Sequence, residues 1–158
     1  MADPSAFLGA GVRRWAAAWL VLTIAFGLHV VDEASHDFLG WYNPLVSGFR
    51  DRFGWVPMPT FRFDVWLAGL IAAVVLLAAL TPQVARGRRW LIPIAYVYAG
   101  LHIVNGAVHL AASAYERRLI PGVLSAPLLL GAGAWLFVET MRMRRALTAS
   151  EAGDRRDG

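Results

Sequence analysis

The sequence predicts an all-α fold, a polytopic membrane protein built on a four-helix transmembrane bundle with a long aromatic first outer loop. Three observations predict it. The 158-residue chain is 58% hydrophobic and only 16% charged, with a mean hydropathy of +0.50. A soluble domain averages roughly 45–50% apolar and about 25% charged. Four apolar runs approach the roughly 20 residues that a helix needs to cross the hydrocarbon core. Arginines gather at the ends of those runs, where cationic side chains anchor helices at a membrane surface.

The spans are expected at about 14–35, 63–80, 90–115 and 121–141, within one transmembrane domain covering 1–147. The second stops at Thr81-Pro82, and Pro121 opens the fourth at a first-turn position, where a missing N–H costs nothing. Arg13-Arg14 followed by an apolar run could mark a signal peptide. However, charged and aromatic residues follow where a small-x-small cleavage site belongs, so the first run is read as retained. Residues 148–158 form a polar tail, expected to be disordered. The connection from Asp37 to Arg62 carries seven aromatic residues, too many for a plain solvated linker. It is expected on the outer membrane surface or folded over the bundle as a cap.

Orientation follows from charge. Arg13, Arg14, Arg86, Arg88, Arg89, Arg142, Arg144 and Arg145 flank one side, whereas the other two connections mix arginines with acids. Basic residues concentrate on the cytoplasmic side, which places both termini there. The chain has no lysine, an arginine-only usage that points to a GC-rich bacterium and hence to a bacterial cytoplasmic membrane. The net charge of +4 comes without a basic patch or reading motif, which excludes nucleic acid as a partner. There is no cysteine, which excludes disulfides, zinc-thiolate sites and thiol nucleophiles.

Candidate chemistry sits on the first and third spans. His29, Asp32, Glu33 and His36 are spaced i, i+3, i+4 and i+7 and share a helix face. Tyr98, His102, Asn105, His109, Ser113 and Glu116 step by three or four down one face of an otherwise apolar helix. An ionised side chain at membrane depth costs about 2.5–3.5 kcal/mol on insertion scales. Both stripes are therefore expected to turn inward and meet in the outer half of the bundle. Gly100 and Gly106 are small enough for a neighbouring helix to approach closely. Glu139 is read as an ion-pair partner for a nearby arginine.

The segment His29-Val30-Val31-Asp32-Glu33, followed by Phe38-Leu39-Gly40-Trp41-Tyr42-Asn43, resembles the HXXEE family of small bacterial membrane proteins. That family is named for a histidine, two spacers and two acidic residues. Asn105, His109 and Pro121-Gly122-Val123 resemble its later elements, so the resemblance spans roughly residues 15 to 140. Here the first acidic position is Asp32 in place of glutamate. The resemblance implies a site and no reaction. A looser, purely architectural likeness is to the emopamil-binding protein and sigma-2 receptor group of sterol isomerases and sterol-related binding proteins.

The residues favour an enzyme. His29, Glu33, His102 and His109 offer ligands for a divalent metal (zinc, iron or manganese), and facing helices of a bundle are a place to build such a site. Glu33 and Asp32 are the candidate catalytic acids, with His36, Tyr98, Asn105, Ser113 and Glu116 around the centre or facing substrate. The expected partner is a membrane lipid or another hydrophobic small molecule, isoprenoid-like substrates included. Three alternatives stay open. The first is metal-free acid–base catalysis, an isomerase or cyclase of a lipid or terpenoid, with a desolvated carboxyl group as proton donor. The second is non-catalytic binding or transport, for which a homo-oligomer would have to complete the path. The third is interhelical hydrogen bonding for packing alone, at about 0.6 kcal/mol per pair.

Overall fold

A computed structural model describes residues 4–55 and 57–154. Among these residues there are five helices and no strand: α1 (Pro4–Ser35), α2 (Phe38–Phe53), α3 (Phe63–Ala85), α4 (Leu91–Glu116) and α5 (Ala126–Asp154). Three of them contain stretches long and apolar enough to cross a membrane, Gly9–Ser35, Phe63–Ala85 and Leu91–Glu116. The chain is thus an all-helical protein with membrane helices.

The central element is α1. Trp15, Trp19, Leu22, Phe26, His29 and Glu33 are buried and alternate by four and three residues, which puts them on one stripe. A buried indole N–H needs an acceptor, and both inner tryptophans find one on a different helix. Trp15 Nε1 donates to Thr140 Oγ1 on α5 at 3.0 Å, and Trp19 Nε1 donates to the Leu77 carbonyl on α3 at 2.9 Å. α1 is therefore flanked by α3 and α5, and α4 packs on the far side of α5. α1 and α4 face each other diagonally and meet through long side chains. The Tyr98 hydroxyl donates to Thr23 Oγ1 at 3.2 Å, and the Trp19 and Tyr98 rings lie 5.0 Å apart.

The closest packing is between α4 and α5. A Cβ added at Gly106 would stand 2.8 Å from the Ala126 carbonyl oxygen, and one at Gly133 3.1 Å from that of Ala99. Gly100 has nothing within 4 Å of that position, so only Gly106 of the two expected glycines serves close approach. At one end of the bundle, Gly87 in the α3–α4 turn lies against Val12 of α1 and Met143 of α5. The arginine-flanked segments therefore share that end.

Four sequence expectations need correction. The segment read as an aromatic outer loop is for most of its length the helix α2, opened by Asp37 in the left-handed region (φ 54°) with its carboxylate accepting from Gly40 N. Residues 57–61 then fold back along α2. Asn43 bonds both the N–H and the carbonyl of Phe61, and Tyr42 donates to the Pro59 carbonyl. The last helix begins at Ala126, because 121–125 form turns and Pro127, not Pro121, is the proline of its first turn. It also continues through the expected disordered tail as far as Asp154, and residues 155–158 lie outside the described residues. α3 likewise runs past Thr81-Pro82 to Ala85.

Replacing Gly106 by leucine should force α4 off α5 and cost about 1–3 kcal/mol, as overpacking of a tight interface does. Gly100→Leu, which meets open space, should leave stability close to wild type. Thermal unfolding of both variants in detergent, followed by circular dichroism, checks the pair.

Candidate metal centre

At the end of the bundle opposite Gly87, the α1 stripe changes from apolar to polar without leaving the interior. His29, Glu33 and His109 are 0%, 4% and 4% exposed, values otherwise typical of core leucines. The i, i+4 spacing of His29 and Glu33 stacks them on one face of α1, with Nε2 and Oε1 3.4 Å apart. His109 reaches the same carboxylate from α4, with Nε2 3.2 Å from Glu33 Oε1. The two imidazoles meet edge to face with centroids 4.8 Å apart. One ligand atom from each of the three residues lies within 4.8 Å of the other two. Donors about 2.0–2.2 Å from a tetrahedral cation stand roughly 3.4 Å from one another, close to both distances to Glu33.

Two nitrogens of this group make no hydrogen bond among the described residues. His29 Nε2 and His109 Nδ1 are fully buried without a hydrogen bond, and so is Asn105 Oδ1, one turn from His109 on α4. Buried polar atoms are rarely left unpaired, and each such case calls for an explanation.

The turn between α4 and α5 closes the centre. Gly122 has φ +85°, and a Cβ there would lie 2.7 Å from His109 Cε1 and 3.0 Å from Glu33 Cγ. Only glycine lets the backbone take that shape and come this close. Three residues on, Ser125 touches α1 twice. Its backbone N–H and its hydroxyl both donate to Asp32 Oδ2, at 2.9 and 2.7 Å, and its oxygen lies 2.8 Å from His29 Nδ1. On the other side α2 forms a lid. Phe38 and Trp41 stand 5.9 and 6.5 Å from the His109 ring, and Phe38 stacks on Trp66 of α3.

The predicted residues divide into four sets. His29, Glu33 and His109 converge. Asp32 turns from them toward Ser125 and toward His36, whose Nδ1 lies 2.9 Å from Asp32 Oδ1. His102 does not join the ligand group. Its ring packs against Phe26 and Tyr98, and its Nδ1 is bonded to the Tyr98 carbonyl. Ser113 accepts from the Ile120 N–H, and Glu116 accepts from Trp41 Nε1 at 2.8 Å, so both position the lid and turn. Ser125 escaped the sequence reading. Its signal was the Ser-Ala-Pro run, a helix-start pattern that the earlier Pro121 obscured.

These residues fall on the blocks that carried the resemblance. The family model described as a protein of unknown function with HXXEE motif matches residues 14–136. The chain belongs to this HXXEE-motif family. In this HXXEE protein the motif histidine and the second acid face the centre, while the first acid, Asp32, holds the turn that closes it. No curated protein and no solved structure matches the chain.

Gly122→Ala should cost about 1–3 kcal/mol through backbone strain alone, with the contact to His109 adding to it. His109→Ala in the same chain should return part of that loss by making room. A double-mutant cycle on SDS-unfolding titrations, read by tryptophan fluorescence, measures the coupling.

Proposed function

We propose that this HXXEE protein is a membrane-embedded, metal-dependent enzyme that acts on a lipid or isoprenoid-like substrate. The observation that carries the proposal is the buried group of His29, Glu33 and His109, in which a carboxylate and two imidazoles approach one another with ring nitrogens unpaired. A divalent cation held there would accept the lone pairs of His29 Nε2 and His109 Nε2, the nitrogens that face Glu33, and balance the carboxylate. Two nitrogens and one oxygen suit zinc, iron or manganese. Three protein ligands leave a coordination position open, as catalytic sites require. In that position the metal would polarise a substrate oxygen or activate a water. Asn105, with its unpaired oxygen one turn below His109, is the nearest candidate for a further ligand or a substrate contact.

The substrate class is supported by the surroundings. α3 and α4 are joined by a short turn yet diverge, leaving an apolar groove of about 540 Å³ whose wall includes Phe26, Leu77, Val97 and His102. On the polar side a cavity of about 440 Å³ opens beside Asp32, His36, Trp41 and Arg118. The groove suits a hydrocarbon chain and the cavity a polar group, and the two share no lining residue.

The same reading places four helices across a bacterial cytoplasmic membrane, α1, α3, α4 and α5, with both termini cytoplasmic. It is supported by the arginine-flanked segments sharing one end of the bundle, with the His/Glu group at the other. α2 would then lie at the outer surface, with exposed Phe49 and Phe53 toward lipid headgroups.

A specific contact favours a second reading. Glu33 and His109 stand close enough to share a proton, which is the arrangement metal-free acid–base chemistry on an alkene or epoxide would use. Elemental analysis of detergent-purified protein separates the two. The metal reading expects about one zinc, iron or manganese per chain, lost in His29→Ala and His109→Ala and retained in His102→Ala. Stoichiometric absence of metal from wild-type protein would overturn it in favour of the proton chemistry.

A further inference from the structure

We infer that Asp32 and Ser125 are positioning residues that fix the tautomer of His29, so that its Nε2 presents a bare lone pair to the cation; this rests on the metal reading above. Asp32 Oδ2 receives the Ser125 backbone N–H at 2.9 Å, and Oδ1 lies 2.9 Å from His36 Nδ1. A carboxylate so surrounded by donors is an acceptor only. The Ser125 oxygen stands 2.7 Å from that same Oδ2, so the single hydroxyl proton must lie between them. Turned the other way, two sets of lone pairs would face each other at that distance. The Gly122 carbonyl competes for the proton at 3.2 Å, but it is neutral and farther away, and charge-assisted bonds are the shorter and stronger ones.

Once that proton is assigned, Ser125 Oγ can only accept from His29. His29 Nδ1, 2.8 Å away, must therefore carry hydrogen. In the neutral imidazole that a metal ligand must be, there is one N–H, and Nε2 is left unprotonated. That atom is the one buried without a partner and facing Glu33 Oε1 at 3.4 Å. Carboxylate, hydroxyl and imidazole thus form a directed chain from Asp32 through Ser125 to His29. Outer partners of this kind orient metal-bound histidines, and their loss typically weakens metal binding about 10- to 100-fold. The chain also separates the two acids of the motif by role. Glu33 faces the cation directly, and Asp32 acts on it only through Ser125 and His29.

The test uses full-length protein labelled with ¹⁵N-histidine, purified in detergent and stripped with chelator. Long-range ¹H–¹⁵N spectra report the tautomer of each of its four rings, and the signal absent in His29→Gln assigns His29. Wild type should show His29 as a single species protonated at Nδ1. Ser125→Ala and Asp32→Ala should convert it to a mixture or to the Nε2–H form, and Ser125→Thr, which keeps the hydroxyl, should restore it. In a parallel zinc titration Ser125→Ala should bind about 10- to 100-fold more weakly than wild type, with Ser125→Thr near wild type. An Nε2–H ring in wild type, or an unchanged Nδ1–H ring in Ser125→Ala, would refute the inference. The tautomer is read without metal. A correct tautomer with no zinc binding would therefore sink the metal reading and leave the positioning role standing.

Discussion

The structure turns on the cost of keeping Glu33 inside. A carboxylate taken out of water loses several kcal/mol of solvation unless charge or hydrogen bonds replace it. No arginine reaches Glu33 among the described ion pairs; the groups that meet it are the two imidazoles. Each element near that end of the bundle can be traced to this need. α1 supplies His29 on the same stripe, α4 brings His109 across the diagonal, and Gly122 lets the turn close over both. A cation would satisfy the acid and the two Nε2 atoms that face it together, whereas a single shared proton would satisfy the acid and only one ring.

The same helical stripe also explains how a polar centre coexists with a stable bundle. Along α1 the buried positions run through two tryptophans, a leucine and a phenylalanine before the first histidine. The apolar part anchors α1 to α5 and α3 through indole hydrogen bonds, so the register of the polar part is set by packing several turns away. α4 repeats the plan with Leu91, Ala95, Tyr98, His102, Gly106 and His109 buried. Because α5 lies between these two helices, their polar side chains meet across a gap that only long side chains can span. Histidine and glutamate suit such a gap.

Much of this was legible in the sequence, for reasons that also mark the limits. Long apolar runs declared α1, α3 and α4, and the i, i+4 spacing of His29 and Glu33 declared half of the centre. Choosing between His102 and His109 was beyond periodicity, since both lie on the same stripe. What separates them is depth. His102 is level with Phe26 and Tyr98, whose rings enclose it, whereas His109 is level with Glu33. α2 was hidden by Gly40, Pro44 and Gly48, which read as loop residues, yet Leu39 and Val46 are seven apart and both buried. Its tertiary setting overrides weak helix propensity. Ser125 was hidden because its role depends on a turn that brings it against a residue 93 positions away.

The departure at the first acidic position of the motif now has a physical reading. Successive helical residues point about a hundred degrees apart, so the two acids of the motif flank His29 on opposite sides. The residue four after His29 shares its face, and the residue three after it lies to the side, toward the start of α5. What that flanking position must do is reach the backbone N–H and hydroxyl of Ser125, and aspartate does so at 2.9 and 2.7 Å. A longer acid would have to fold back to make the same two bonds, or the turn would have to stand farther off. The second acidic position allows no such exchange. Its oxygen must extend to His109 on a helix that α1 scarcely touches, and that span calls for the extra methylene of glutamate.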